Sequence, residues 1–134
     1  MPLVRIDVLN GWSPDDLRAI SDAVQEAMVA ELGVPERDRF HVISEHDANR
    51  FVFDRGYLDV PRSDRFVLVQ VTLSAGRSTE TKQGFYRRLC RLLVDGVALR
   101  EEDLAVSLIE NEREDWSFGR GLASYVVLPR EEWR

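Results

Sequence analysis

The sequence predicts a two-layer α/β (α+β) protein of two fused β-α-β units, with a four-stranded mixed sheet and two helices on one face. Three observations predict it. The chain overlies itself at a shift of 65 residues. Each copy holds a β-rich apolar run, then an apolar stripe at three- and four-residue steps, then a second β-rich run. The serine and glycine punctuation between these segments recurs in the same places.

The elements follow in order. Pro2-Leu3-Val4-Arg5-Ile6-Asp7-Val8 reads as a first strand, and its Val4–Val8 stretch lies over Val69-Gln70-Val71-Thr72-Leu73. Ser13 lies over Ser78, each placed to cap a helix, with Pro14 or Thr79 next. Leu17, Ile20, Val24, Ala27 and Met28 form one apolar face of a helix over roughly 14–32. Phe85, Leu89, Leu92 and Leu93 form the matching face over roughly 79–95. Gly33 ends the first helix and Gly96 sits near the end of the second. Glu36-x-Asp38 overlies Glu101-x-Asp103, and each acidic pair precedes a strand, Phe40–Ile43 or Leu104–Ile109. The expected organisation is one domain over 1–134, with a first half at about 2–45 and a second at about 66–111. Phe51-Val52-Phe53 reads as a short extra strand, and Ser124-Tyr125-Val126-Val127-Leu128 as a β-rich segment after the tight turn Trp116–Gly121. Apolar residues on both strand parities, such as Leu68 between Val67 and Val69, predict that the uncovered sheet face meets another subunit.

Composition narrows the function. A net charge of −6 argues against a nucleic-acid footprint, and Arg87, Arg88 and Arg91 read as a solvated helix face. No apolar run approaches the ~18 residues of a membrane span, and no secretory leader is visible. The lone Cys90 fits a reducing cytoplasm and reads as a small buried hydrophobe. His41 and His46 lack the partners of a metal site, and no glycine-rich phosphate loop is present, so no metal or cofactor is expected.

Pro2 stands behind the initiator Met1. If Met1 is removed, the chain starts with a secondary amine, which titrates near pH ~8 when unperturbed and can act as base, acid or nucleophile. Alternatively Pro2 merely opens a strand, where a missing N–H costs nothing.

Taken together, Pro2 on a β-α-β unit with a Ser13-Pro14 helix start resembles the tautomerase superfamily. Within it the sequence is most similar to the malonate semialdehyde decarboxylase group, through Gly33–Phe40, Val60-Pro61-Arg62-Ser63-Asp64, Gly76-Arg77-Ser78 with Lys82 and Phe85-Tyr86, and Asp115–Gly119. The resemblance implies a homotrimer of fused β-α-β pairs with three active sites. It implies that Pro2 is the catalytic amine, that Asp38 assists it, that Arg77 binds a substrate carboxylate, and that Trp116 and Phe118 form an apolar wall. Each has an ordinary alternative: Asp38 as a turn cap, Arg77 as a surface residue, Trp116 and Phe118 as core or interface aromatics. The group's pattern has further arginine in the loop where this chain has Ser74, Ala75 and Gly76. Asp103 duplicates Asp38 in a half without a free amine and reads as structural.

The resulting expectation is a cofactor-independent cytoplasmic enzyme of small oxo acids. Decarboxylation of a 3-oxo acid such as malonate semialdehyde comes first. Keto–enol tautomerisation, or hydration of an unsaturated acid, is the alternative. With Met1 retained, the Pro2 nitrogen is an amide, and the chain would instead be a non-catalytic trimeric binding protein.

Overall fold

The computed structural model describes residues 2–132, and Met1, Trp133 and Arg134 lie outside the described residues. Four strands, β1 (Leu3–Leu9), β2 (His41–His46), β3 (Val67–Ser74) and β4 (Leu104–Asn111), form one sheet in the order β2-β1-β3-β4. β1 runs parallel to β2, β3 runs parallel to β4, and β1 and β3 pair antiparallel at the centre. Helix α1 (Pro14–Leu32) joins the first parallel pair and α2 (Thr79–Val97) the second. This is the expected mixed sheet of two β-α-β units.

The helices start where their caps predict. Ser13 accepts a hydrogen bond from the Asp16 N–H and Ser78 from the Thr81 N–H, both at 3.1 Å. Their ends match too: the Gly33 N–H bonds Met28 O and the Ala98 N–H bonds Leu93 O, each from a left-handed backbone. The second helix therefore runs past Gly96, and Ala98 takes the position that Gly33 takes in the first half. A non-glycine residue adopts that φ of 54° at some steric cost.

Both helices pack on one sheet face. Val4, Ile6, Val8, Val67, Val69 and Val71 from the strands are fully buried against Ile20, Val24 and Met28 of α1 and Phe85, Leu89 and Leu93 of α2. Each such side chain contributes roughly 1.5–3 kcal/mol on leaving water. The opposite face is uncovered in the single chain. It carries Leu3, Arg5, Asp7, Val42, Ser44, Leu68, Gln70, Thr72, Ser107 and Ile109, a more polar surface than strand parity suggested.

Two expected segments fold differently. Residues 51–53 form no strand: Phe51 and Phe53 pack on each other and on Phe66, while Val52 points to solvent. Aromatic packing, not pairing, fixes this stretch. The β-rich Ser124–Leu128 segment instead begins with one helical turn, α3 (Ser124–Val127). Ser124 explains it, because its N–H donates to Trp116 O and its hydroxyl accepts from the Phe118 N–H, folding the segment back on the preceding turn. Cys90 is half-buried rather than in the core.

Candidate active site

The strand directions bring distant residues to one end of the sheet. β1 begins there at Leu3, and Val4 pairs with His41 at the start of β2. Because β3 is antiparallel to β1, its last residues arrive at the same end, with Leu3 opposite Thr72. β4 follows β3 to Asn111, opposite Ser74. Pro2, the turn before β2, the loop after β3 and the segment after β4 therefore meet. These carry all five candidates, Pro2, Asp38, Arg77, Trp116 and Phe118.

Pro2 is buried. Asp38 is also buried, in the turn closed by its own N–H to Pro35 O at 3.0 Å. Burial pushes its carboxyl up to about 6, against the lowering effect of the positive amino terminus. That amino group is the one carried by Met1, one residue ahead of Pro2.

Arg77 lies in the loop between β3 and α2 and is half-buried rather than a surface residue. Its Nε donates to Leu32 O at 3.0 Å and its Nη1 to Ser74 O at 2.9 Å. Two carbonyls hold the guanidinium plane while further N–H groups remain to bind an anion. Burial lowers its pKa, while the charges of Glu110 and Tyr125 act in the opposite sense.

Trp116 and Phe118 are stacked, with centroids 5.4 Å apart and planes at 13°. The Trp116 Nε1–H donates to Asn111 Oδ1 at 2.8 Å, tying the stack to the end of β4. Phe40 lies 5.9 Å from Phe118, which joins this wall to the strand that follows Asp38.

Two residues of this cluster were not among the sequence candidates. Phe40 extends the wall. Tyr125 packs edge-on to Phe118 at 5.3 Å. Its hydroxyl is pushed up to about 12 by burial and by Asp38, with Arg77 pulling it down. Tyr125 therefore sits within electrostatic reach of both charged candidates. An aromatic shortly after the Trp-x-Phe turn was the available signal, obscured by reading its segment as extended.

Two shallow depressions of about 210 and 320 Å³ lie elsewhere, one lined by Asn10, His46 and Asp64 and the other by Tyr86, Cys90 and Glu101. Neither touches the five candidates. No group of three or more His, Cys, Asp or Glu among the described residues is arranged to hold a metal ion. No helix among them is long and apolar enough to cross a membrane.

Comparison with known proteins agrees with this fold. A family model described as tautomerase enzyme matches residues 38–119, and a second with the same description matches residues 2–55. Probable tautomerase YusQ of Bacillus subtilis (strain 168) is 36% identical over 126 residues, covering 94% of this chain and 99% of that protein. A crystal structure of malonate semialdehyde decarboxylase, described as a basis for decarboxylase and hydratase activities, is 35% identical with a TM-score of 0.87 over 92% of this chain and 95% of that one. FG41 malonate semialdehyde decarboxylase inhibited by 3-bromopropiolate is 36% identical with a TM-score of 0.87, covering 95% of this chain and 99% of that one. The chain belongs to the tautomerase superfamily, close to its malonate semialdehyde decarboxylase group.

Proposed function

We propose that this chain is a cofactor-independent enzyme acting on small oxo acids through the amine of Pro2 after Met1 is removed, and that its main reaction is decarboxylation of a 3-oxo acid such as malonate semialdehyde. The observation that carries this reading is the meeting of buried Pro2, buried Asp38 and tethered Arg77 at one sheet end. The 35% identity to malonate semialdehyde decarboxylase over nearly the whole chain supports the choice of reaction.

The chemistry follows from these groups. Arg77 grips the carboxylate and turns it out of the carbonyl plane. Asp38 is ionised above about pH 6, and its charge favours the ammonium form of Pro2. That ammonium hydrogen-bonds the substrate carbonyl oxygen. The bond between the carboxylate carbon and the α-carbon breaks, CO₂ leaves, and the electron pair flows toward the carbonyl as an enolate stabilised by Pro2. Protonation of the α-carbon then gives the aldehyde. Neutral Pro2 offers a second route, in which it condenses with the carbonyl, loses water and accepts the electron pair as an iminium ion. Trp116, Phe118 and Phe40 exclude water and favour the spread charge of the transition state over the localised carboxylate.

A trimer completes the picture. The polar sheet face is uncovered, and Phe40 (48% exposed), Val126 (63%) and Val127 (54%) lie open around the cluster, where a neighbouring subunit would close it. The second reading, keto–enol tautomerisation with neutral Pro2 as base, is favoured by the single arginine of the 74–77 loop and by the 36% identity to a probable tautomerase.

The test assays Met1-free protein with malonate semialdehyde and with phenylpyruvate enol, followed by borohydride reduction and mass spectrometry. Fast CO₂ release is the expected result, and a reduced adduct on Pro2 would select the iminium route. Ketonisation alone moves the assignment to the second reading. Silence on both substrates overturns the enzymatic reading in favour of a trimeric binding protein.

A further inference from the structure

Gln25 interrupts the apolar face of α1. It is 3% exposed, among Ile20, Val24 and Met28, where an aliphatic residue would pack without any polar group to satisfy. Its Nε2 donates to Glu36 O at 3.2 Å and to Asp38 O at 3.1 Å, using both N–H bonds on the turn that carries Asp38. The reverse amide orientation would set an oxygen against two carbonyl oxygens, so these acceptors dictate the assignment. Its Oε1 is buried without a hydrogen-bond partner among the described residues. The side chain therefore makes its polar contacts through one end only, and both go to this turn.

The second half supplies a control within the same molecule. At the 65-residue shift Gln25 corresponds to Cys90, and Glu36 and Asp38 to Glu101 and Asp103. The turn itself is reproduced, with the Asp103 N–H on Arg100 O at 2.9 Å. The clamp is not. In its place lies the depression of about 320 Å³ lined by Tyr86, Cys90, Glu101, Leu104 and Val106. Asp103 is fixed instead through its carboxylate, which accepts from the Ser63 N–H at 2.7 Å and hydroxyl at 2.6 Å. This turn thus folds without a glutamine behind it. Holding Asp38 by its peptide group is particular to the half that carries the candidate site.

We propose that Gln25 is a positioning residue, whose carboxamide clamps the Glu36–Asp38 peptide and so sets the placement of the Asp38 carboxyl beside Pro2. The proposal rests on the reading of Asp38 given above. The titratable group that faces Asp38 from another element is Tyr125, which also feels Arg77; the amino terminus that acts on Asp38 is that of Met1. Behind the clamp stand Glu36 and His41, the latter joined to α1 by Ser21 at 2.7 Å from its Nδ1.

Two variants test it, Gln25→Met, which keeps volume without a donor, and Gln25→Cys, which copies the residue present in the second half. The Asp38 carboxyl is titrated by carbon NMR in the Met1-free wild type and both variants. The expected result is a midpoint lowered from about 6 toward the ordinary 3.8 by at least half a pH unit as the turn loosens and water enters, in a variant that remains folded. Turnover on the substrate the wild type uses should fall at least tenfold in kcat with KM within twofold. In an Asp38→Asn background the same substitutions should cost less than twofold, because a group acting through Asp38 has nothing left to position. An unchanged Asp38 midpoint in a folded variant would overturn the proposal, as would an equal loss of turnover in both backgrounds. A wild type with no turnover would refute the enzymatic reading, while the titration would still decide the role of Gln25.

Discussion

At the Pro2 end of the sheet a strand begins where the chain begins, and beside it stand Asp38 and Arg77. At the opposite end the repeat places Val67, Asp103 and Trp12 at the corresponding positions. The backbone is the same in both places, down to the shared φ of 122° at Gly11 and Gly76. The side chains are not. Val67 follows Phe66 without a break and pairs within β3. Asp103 is fully buried and spends its carboxylate on Ser63. Trp12, where the other end has Arg77, is 6% exposed beneath the Arg65 guanidinium, 3.5 Å above its ring. One end has been closed with packing and hydrogen bonds. The other keeps a buried proline, a carboxyl raised by burial and a tethered cation. A duplicated scaffold thus yields one candidate site: on the proposed reading the start of β1, behind Met1, supplies the amine, and the start of β3 continues from Phe66.

The sharpest way to break this contrast is to exchange the effects of equivalent positions. Arg77→Ala should lower kcat/KM by about 10²–10³-fold, mostly through KM, since a buried charge pair to the substrate carboxylate is lost. Trp12→Ala should leave KM unchanged and cost about 3–5 kcal/mol of folding stability, the range for emptying a core aromatic site. Steady-state kinetics and denaturant unfolding on both variants check this. Equal kinetic effects would erase the distinction between the two ends.

The aspartates give the next largest effects. Asp103→Ala removes the acceptor of the half-buried Ser63 N–H and hydroxyl and should cost about 1–3 kcal/mol without changing kcat. Asp38→Asn should lower kcat about 10²-fold or more, within the range for assisted proton transfer, and should stabilise the fold.

The size of that stabilisation depends on pH. Burial raises Asp38 to about 6 from an ordinary 3.8. Between those values the folded protein holds a proton that the unfolded chain has lost, so this group removes stability as pH rises through about 4 to 6. Asp38→Asn cancels the loss, and its advantage over wild type should grow across that window to at most roughly 2–3 kcal/mol, then stay level. His41 works in the other direction. Burial lowers it from 6.5 to about 4, so its contribution is complete above 6.5 and is lost as pH falls toward 4. Removing Asp38 should therefore steepen acid unfolding, measured by urea midpoints at several pH values.

The smallest effect tests the helix ends. Ala98→Gly should stabilise by less than ~1 kcal/mol by relieving a left-handed alanine, and Gly33→Ala should destabilise by about 1 kcal/mol, both read from thermal unfolding.

Much of this was legible in the chain. The helix starts follow from Ser13 and Ser78, the core faces from the three- and four-residue stripes, and the mixed sheet from the order of the segments. Those signals are local, and the two halves repeat them. The misread segments depend on contacts distant in sequence or on a competing local bond. Phe51 and Phe53 have strand-like composition, but Phe66 claims their rings. Ser124–Leu128 is β-rich, but Ser124 turns it back on Trp116 and Phe118. Tyr125 went unrecognised for the same reason. Gln25 was visible only as a polar gap in an apolar stripe, and the turn it clamps is formed by residues that arrive from another element. Pro2 came from its position behind Met1, and the other four candidates from the resemblance. Their convergence follows from the antiparallel pairing of β1 with β3, which brings the loop after β3 back to Pro2.

The most direct test of the single-site account is CO₂ release from malonate semialdehyde by Met1-free protein and by its Pro2→Ala variant, with unfolding midpoints recorded for both. The account predicts rapid release by the wild type, a loss of at least about 10³-fold in the variant and unchanged stability, as expected for removal of a group that acts only on substrate. Release at the wild-type rate from a folded Pro2→Ala variant would contradict it.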